Sequence, residues 1–458
     1  MPKHFLRISL FAAAMISLGL IGARPAWTQQ IEGLYSENLQ AASYFQQGLT
    51  RYNRSDFEGA EKDLRTALQF DPFIPMAHYL LGNALFQQGK TDQATEQYQR
   101  ALALDPNIAE AYYNLGLALY RQGNVPGAIA QYQKALSIKP NLPEARYNMA
   151  LAYESQGNTQ GAISQYQEAM RLNPNNAAAS YNMGLLLVQQ NQTEPAIAAF
   201  RQAVTTNPDL IQGRYQLGVL LAKQGQWKEA EDELRKVTKF DPKFAQAQYQ
   251  LGMVLAERGD FEGAGDRFAW VTTLEPNNVD AYRRLGAARN KTKQYEKAIA
   301  ALQTAVRLQG NDPLSHYNLG LAHQELKQYP EAIAQYQQAI LLNPNLPDAF
   351  FNLGVTLEQS QRRNEAMSAL QQARRLYAST GNAQKADEVD LYIQKISAQP
   401  ATAQPATTQP TAQPTSTQAA PTLTPPTQPP TFQPQPQQPN LPRLTPFTLP
   451  PNRGGATR

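Results

Sequence analysis

Residues 109–142 read AEAYYNLGLALYRQGNVPGAIAQYQKALSIKPNL, and the chain repeats this stretch at intervals of 34 residues in both directions. The column that holds Gly116 also holds Gly48, Gly82, Gly184, Gly218, Gly252, Gly286, Gly320 and Gly354, with Ala150 the one exception. Twelve residues further on runs an unbroken alanine column, from Ala60 through Ala128 and Ala162 to Ala366. Ten copies keep this register without an insertion. A fixed period of that length means stacked supersecondary units, each unable to bury its apolar face alone.

The pattern inside one copy predicts two helices. Over 109–121 the apolar residues Tyr112, Leu115 and Leu119 recur at three and four, and over 126–138 Ile129, Tyr132, Ala135 and Leu136 do the same. Gln122-Gly123-Asn124 separates them, since glycine readily takes the left-handed conformation that ends a helix. Lys139-Pro140 ends the second, because the residue before proline is pushed out of the helical region. The two small columns are placed where the helices of a pair cross. Together these residues resemble the tetratricopeptide (TPR) repeat, whose signature joins an aromatic, Leu-Gly, an aromatic, then Ala, an aromatic, Ala and Pro. The resemblance covers residues 41–380. The expected fold is therefore all-α, a right-handed superhelical TPR solenoid of ten helix-turn-helix repeats.

The segments outside the repeats read differently. Lys3 and Arg7 precede an uncharged apolar run over 8–23, about 24 Å long as a helix and short of the roughly 30 Å hydrocarbon core. A secretory signal is the expectation for 1–23, with an uncleaved membrane anchor and a helix packed on the first repeat as the alternatives. The cleavage site is imperfect: a cut after Ala23 has Ile21 at the third position back, and a cut after Ala26 has Arg24 there. Residues 24–40 read as a polar linker. Copy one then carries Gln47 and Arg51 where later copies are apolar, as an N-terminal cap requires. Copy eight carries Arg283, Arg284 and Arg289 and lacks the terminal proline, which predicts a bend or a locally different binding surface. Over 381–397, Ala386, Val389, Ile393 and Ile396 form the stripe of a C-terminal capping helix. Residues 398–458 are mostly Pro, Thr, Gln and Ala, uncharged until Arg443, and are expected to be a disordered tail. Leu441–Leu449 concentrates apolar groups again, either as scattered hydrophobes or as a segment able to occupy the chain's own groove.

Charge and composition exclude several classes. The chain has 41 Lys+Arg against 37 Asp+Glu, and five of the cations lie in the two terminal segments, so the repeats offer no basic footprint for nucleic acid. It has no cysteine, hence no disulfide framework and no thiol chemistry. His316 and His323 lie seven apart on one helix, in columns that elsewhere hold packed aromatic or leucine residues, and no third ligand is near. No phosphate loop or nucleophile elbow is present. The expectation is a chain that is not an enzyme and takes no cofactor and no metal.

What remains is recognition. In TPR proteins the first helix of each pair lines the concave side of a superhelix, and that groove binds extended peptides. The resemblance places three columns of this chain there. One is aromatic: Tyr79, Tyr113, Tyr147, Tyr181, Tyr215, Tyr249, Tyr317 and Phe351. The next residue is often an amide, as in Asn114, Asn148, Asn182, Asn318 and Asn352, and asparagine can pair with any peptide backbone. A similar asparagine ladder occurs in the repeats of O-GlcNAc transferase. The third column is aliphatic: Leu117, Leu151, Leu185, Val219, Met253 and Leu321. Chaperone-binding TPR clamps use Asn at that position and need paired Lys and Arg for terminal carboxylates, whereas here Glu110, Glu144, Asp280 and Asp348 recur nearby. The alternative for the aliphatic column is packing between neighbouring copies. The expected partners are proteins or peptides, not nucleic acid. The expected setting is a bacterial envelope, with the chain periplasmic or membrane-anchored, either as a scaffold or as the regulatory or substrate-presenting subunit of a separate enzyme.

Overall fold

The computed structural model describes residues 38–398, which hold 21 α-helices and no strand. The expectations for the segment 1–23, for most of the linker and for the tail, including Leu441–Leu449, lie outside the described residues. The chain divides into two compact units, which within the described residues are 38–240 and 241–398. The first unit holds copies one to six. The second holds copies seven to ten and a final helix.

Both units are built from the same pair. A first helix of thirteen residues (Ala109–Arg121 in copy three) is followed by a second of fourteen (Val125–Ile138). The turn between them follows from one left-handed residue. Gly123 has φ +81°, its N–H donates to Tyr120 O at 3.0 Å, and Asn124 N–H donates to Leu119 O at 2.9 Å. That is the Schellman arrangement, which satisfies carbonyls the ending helix leaves unpaired. Asn124 then caps the second helix, its side chain accepting from Gly127 N at 3.0 Å. In five turns a side chain stands where glycine is favoured, at Ser55, Asn191, Lys293, Lys327 and Gln361, all with φ near +60°. Gly310 stands at the end of copy eight, and Asp312 starts the next helix by accepting from Leu314 N and Ser315 N at 3.3 and 3.1 Å.

The small columns lie where the two helices of each pair cross. Ala128 and Tyr132 are fully buried, and a Cβ placed on Gly116 would lie 2.6 Å from the Tyr132 ring. The same approach recurs as Gly82 under Tyr98 and Gly184 under Phe200 in the first unit, and as Gly252 under Phe268 and Gly320 under Tyr336 in the second. The second helix thus rests an aromatic ring or a leucine on bare backbone of the first. The Tyr98, Tyr132, Tyr166 and Tyr336 column is core throughout. Within each unit the second helices also pack on the first helix of the following copy, so every contact is to a neighbour.

The two ends differ. In copy one Gln47 and Arg51 are exposed, and Arg51 bridges Asp63 at 2.7 Å and Asp56 at 3.2 Å. At the other end the helix Ala383–Ala398 lays Ala386, Val389 and Ile396 on Leu370, Ala373 and Tyr377 of copy ten. Among the described residues no helix is long and apolar enough to cross a membrane.

Candidate functional site

The first helices present the aromatic, amide and aliphatic columns side by side, with different burial. Tyr79, Tyr113, Tyr147, Tyr181 and Tyr215 are buried, while Tyr249, Tyr317 and Phe351 in the second unit are half-buried. Their rings lie against the core aromatics of the same copy, with centroids 6.3 Å apart for Tyr79–Tyr98, 6.1 Å for Tyr113–Tyr132 and 5.7 Å for Tyr147–Tyr166. This fixes where each hydroxyl points. It points at the asparagine of the following copy.

Asn114 Nδ2 donates to Tyr79 Oη at 3.3 Å, Asn148 Nδ2 to Tyr113 Oη at 2.9 Å, and Asn182 Nδ2 to Tyr147 Oη at 3.2 Å. In the second unit Asn352 Nδ2 donates to Tyr317 Oη at 3.1 Å. The amide column is therefore a ladder that joins copy to copy. Asn114, Asn148 and Asn182 are themselves buried. Burial also lifts these phenols: Tyr317 is pushed up to about 12, and Tyr113 further still. They stay protonated under all ordinary conditions and can accept the amide proton without competing ionisation.

Departures from the ladder follow from the sequence. Gln216 replaces asparagine after Tyr181, and the Tyr181 hydroxyl is buried without a partner. Arg283 replaces the tyrosine that Asn318 would meet, and Asn318 Nδ2 turns back to Leu314 O at 2.9 Å. Copy eight substitutes an ionic version. Arg284 Nε donates to the Tyr249 hydroxyl and to Asp280 at 2.9 Å, Arg283 and Tyr249 also bond Asp280, and the Arg284 guanidinium lies 5.6 Å from the Tyr249 ring centre. Burial alone would raise the Asp280 carboxyl. The Tyr249 hydrogen bond and the two guanidinium charges outweigh it and hold the carboxyl below the carboxylate range.

The aliphatic column is half-buried. Leu117, Leu151, Leu185 and Val219 in the first unit, and Met253 and Leu321 in the second, each keep part of the side chain open. Ala287 interrupts it in copy eight. Asn83 stands in the same column in copy two, where it accepts from the Tyr98 hydroxyl at 2.9 Å and from Asn114 Nδ2 at 2.7 Å. The nearby acids are mostly engaged: Glu110 pairs with Lys139 at 2.9 Å, and Asp348 with Lys385 at 2.8 Å and the Tyr377 hydroxyl at 2.6 Å.

The histidines take part in packing. His78 and His316 sit in equivalent positions, each with Nδ1 2.7 Å from a glutamine Oε1, of Gln97 and Gln335 respectively. Nδ1 of His323 lies 2.6 Å from Gln328 Oε1. Among the described residues no group of three potential ligands converges on a metal position.

One feature escaped the reading of the sequence. A cleft of about 670 Å³ opens on the second-helix side of copies four and five, floored by Ile163, Met170, Met183 and Leu187 and edged by glutamines. At this level five copies carry a hydrogen-bonded polar pair nineteen residues apart, such as Arg146–Gln165 at 3.1 Å or Arg214–Glu233 at 2.6 Å. Copy five has Ser180 and Ala199 instead. That pair of small residues was the available signal.

Family models described as tetratricopeptide repeat match residues 45–107, 79–143, 147–211, 187–253, 245–270 and 348–380, and one described as TPR repeat matches 288–327 and 325–361. No curated protein matches the chain. Among solved structures, YrrB, a TPR protein with an unusual peptide-binding site, is 27% identical over 40% of this chain and 95% of its own, with a TM-score of 0.38. MamA from Desulfovibrio magneticus RS-1 is 27% identical over 37% of this chain and 97% of its own, with a TM-score of 0.36. PilF of Pseudomonas aeruginosa is 23% identical over 44% of this chain and 92% of its own, with a TM-score of 0.40. With matched models running from the first copy to the last, and helix pairs crossing on the glycine and alanine columns, the chain belongs to the tetratricopeptide-repeat family.

Proposed function

We propose that this protein is an interaction scaffold whose first-helix face holds an extended, apolar-rich segment of a protein partner. Its TPR architecture makes it a protein-binding chain of a typically non-catalytic kind. The finer reading rests on one observation. The aliphatic column of Leu117, Leu151, Leu185 and Val219 is half-buried beside a ladder whose Asn114, Asn148 and Asn182 amide donors already serve Tyr79, Tyr113 and Tyr147. Affinity then comes from covering aliphatic side chains, about 1 kcal/mol for each half-buried leucine completed. Pairing to the ligand backbone is secondary. The basic-then-apolar start over 3–23 supports a working place outside the cytoplasm, exported or anchored in a bacterial envelope.

The test is a crosslinked pulldown from the native envelope with the parent chain and with Leu151→Asp. A partner that crosslinks to the first-helix face and is lost from the variant, while the fold is retained, supports the groove. A partner held equally by both refutes it. An enzyme as that partner makes the chain its regulatory or substrate-presenting subunit. A periplasm-dependent reporter behind Ala398, together with the mapped mature N-terminus, tests export, and a full-length soluble cytoplasmic product sinks it.

A further inference from the structure

The cleft of copies four and five lies apart from the first-helix ladder. Its volume is about 670 Å³, and its floor is Ile163, Met170, Met183 and Leu187. Copy four shows one group that fits such a floor. There the Tyr153 ring packs on the equivalent Ile129, Leu136 and Met149, and its hydroxyl accepts from Gln133 Nε2 at 3.4 Å. One period on, Leu187 takes the place of Tyr153, and Gln167 takes the place of Gln133 with no phenol to meet. The floor carries no ring of its own.

A carbonyl at the edge sets the polar half of the occupant. Pro174 lines the cleft. At the equivalent position in four other copies the carbonyl has a close partner. His78 Nε2 lies 3.0 Å from Pro72 O and His316 Nε2 3.1 Å from Gly310 O, while Arg214 Nε donates to Pro208 O at 2.7 Å and Gln248 Nε2 to Pro242 O at 3.0 Å. In copy five Ser180 stands in that partner's column, and its hydroxyl turns to Asn176 O at 3.5 Å. Among the described residues Pro174 O is met only by Gln202 Nε2, at 3.5 Å. An acceptor so weakly served gains from a donor. Trp270, two periods beyond Gln202, shows that an indole can supply it: its Nε1 donates to Pro242 O at 2.8 Å.

Charge narrows the choice further. Gln160, Gln167 and Gln202 edge the cleft, no acid lines it, and its one cation, Arg171, is paired with Glu168 at 3.0 Å. The next cleft along, of about 320 Å³ between copies five and six, is lined instead by charges paired with one another, Arg201 with Glu229 and Arg214 with Glu233. A neutral rim over an apolar floor matches an uncharged side chain, because a charge would lose its hydration there without gaining a counter-ion.

We propose that this cleft is a second binding site, which receives a tryptophan side chain of a protein partner. The indole ring covers Ile163, Met170, Met183 and Leu187, with the two methionine sulfurs in favourable contact with the ring. Its N–H, a donor on a group with no acceptor, bonds Pro174 O. The amides of Gln160 and Gln167 pair with the partner's backbone on either side of the tryptophan. The site lies on the second-helix side and works independently of the first-helix groove.

The chain has eight methionines, and Met170 and Met183 are the two in the cleft. In the full chain, labelled at the methionine methyls, the probe is the capped peptide acetyl-Gly-Trp-Gly-amide. Titration should move the Met170 and Met183 resonances through the ring current of the indole and leave the others, which also report the fold, in place. Methylating the indole nitrogen removes one hydrogen bond and should weaken binding about fivefold. Ala199→Gln restores the glutamine that Gln97, Gln131 and Gln165 place in that column, and Leu187→Tyr copies Tyr153. Each should fill the cleft and weaken binding by about tenfold or more. Leu151→Asp should leave the response unchanged, which separates this site from the first-helix groove. Unmoved Met170 and Met183 methyls, equal binding of the methylated probe, or full binding to both filled variants would overturn the proposal. So would a response lost in Leu151→Asp, which would place the peptide in the groove, or equally tight binding of free indole, which would make a small molecule the occupant.

Discussion

Asn148 is the residue whose replacement separates a structural ladder from a ligand ladder. Its Nδ2 donates to Tyr113 Oη at 2.9 Å and to Glu144 O at 2.9 Å, and both side chains are buried. Asn148→Ala strands the Tyr113 hydroxyl in the core and should cost about 1–3 kcal/mol. Tyr113→Phe removes the hydroxyl but leaves Asn148 bonded to Glu144 O, and should cost about 0.5–1.5 kcal/mol. The double variant removes both partners, so its cost should fall short of the sum by about 1 kcal/mol. A solenoid of this length need not unfold in one step. The assay is therefore urea denaturation combined with hydrogen exchange over copies three and four, where the loss should concentrate. Strict additivity would show that the two side chains do not act together. Unchanged stability with lost partner binding would refute the reasoning outright and return the amide column to the ligand.

Ala162→Leu should overpack the helix crossing in copy four, where Ala162 is fully buried, at a cost of about 1–3 kcal/mol that spreads to adjacent copies; melts and exchange rates equal to the parent would contradict that placement. Lys327→Gly should stabilise by up to about 1 kcal/mol, since Lys327 holds φ +58° in a turn where Gly123 holds +81°, and Gly123→Ala should destabilise by a similar amount in denaturant titrations. At the C-terminal end, burial raises the Asp348 carboxyl, but the hydrogen bonds from Lys385 and Tyr377 prevail and hold it below its ordinary 3.8. A carboxyl depressed in the folded state stabilises above its unfolded value and loses that contribution as the pH falls through the folded one. Exchange protection in the helix Ala383–Ala398, taken relative to the intrinsic rate at each pH, should therefore fall in acid with an Asp348 dependence that Asp348→Asn abolishes; an unchanged acid response in the variant would exclude this carboxylate as the cause.

The repeat, the helix pair, the turn at Gly123 and the crossing at Gly116 and Ala128 were all legible in the residues. Each is a local constraint written ten times. A crossing that admits at most a methyl group leaves glycine or alanine in one column, and the left-handed turn residue is glycine in five of the ten copies, so chance variation in one copy is corrected by the others. The exceptions were legible as well. Ala150 in the glycine column, Arg283 and Arg284 in copy eight, and Gln47 and Arg51 at the cap all stood out against the register.

What the period left open was the partner of each polar side chain on the first-helix face. Tyr113 and Asn148 are 35 residues apart, and whether they meet depends on how closely copy four settles on copy three, a distance set by Ala145, Met149 and Ala152 packing on Ile129 and Leu136. A column of tyrosines beside a column of asparagines is compatible with an open groove lined by amides and equally with a closed ladder. Only the packed structure distinguishes them, because the side-chain bond is made between copies while the sequence pattern is written within one. The same reason hid the cleft beside Ala199. The space belongs to helices of two copies, and its size is fixed by what neighbouring side chains fail to fill.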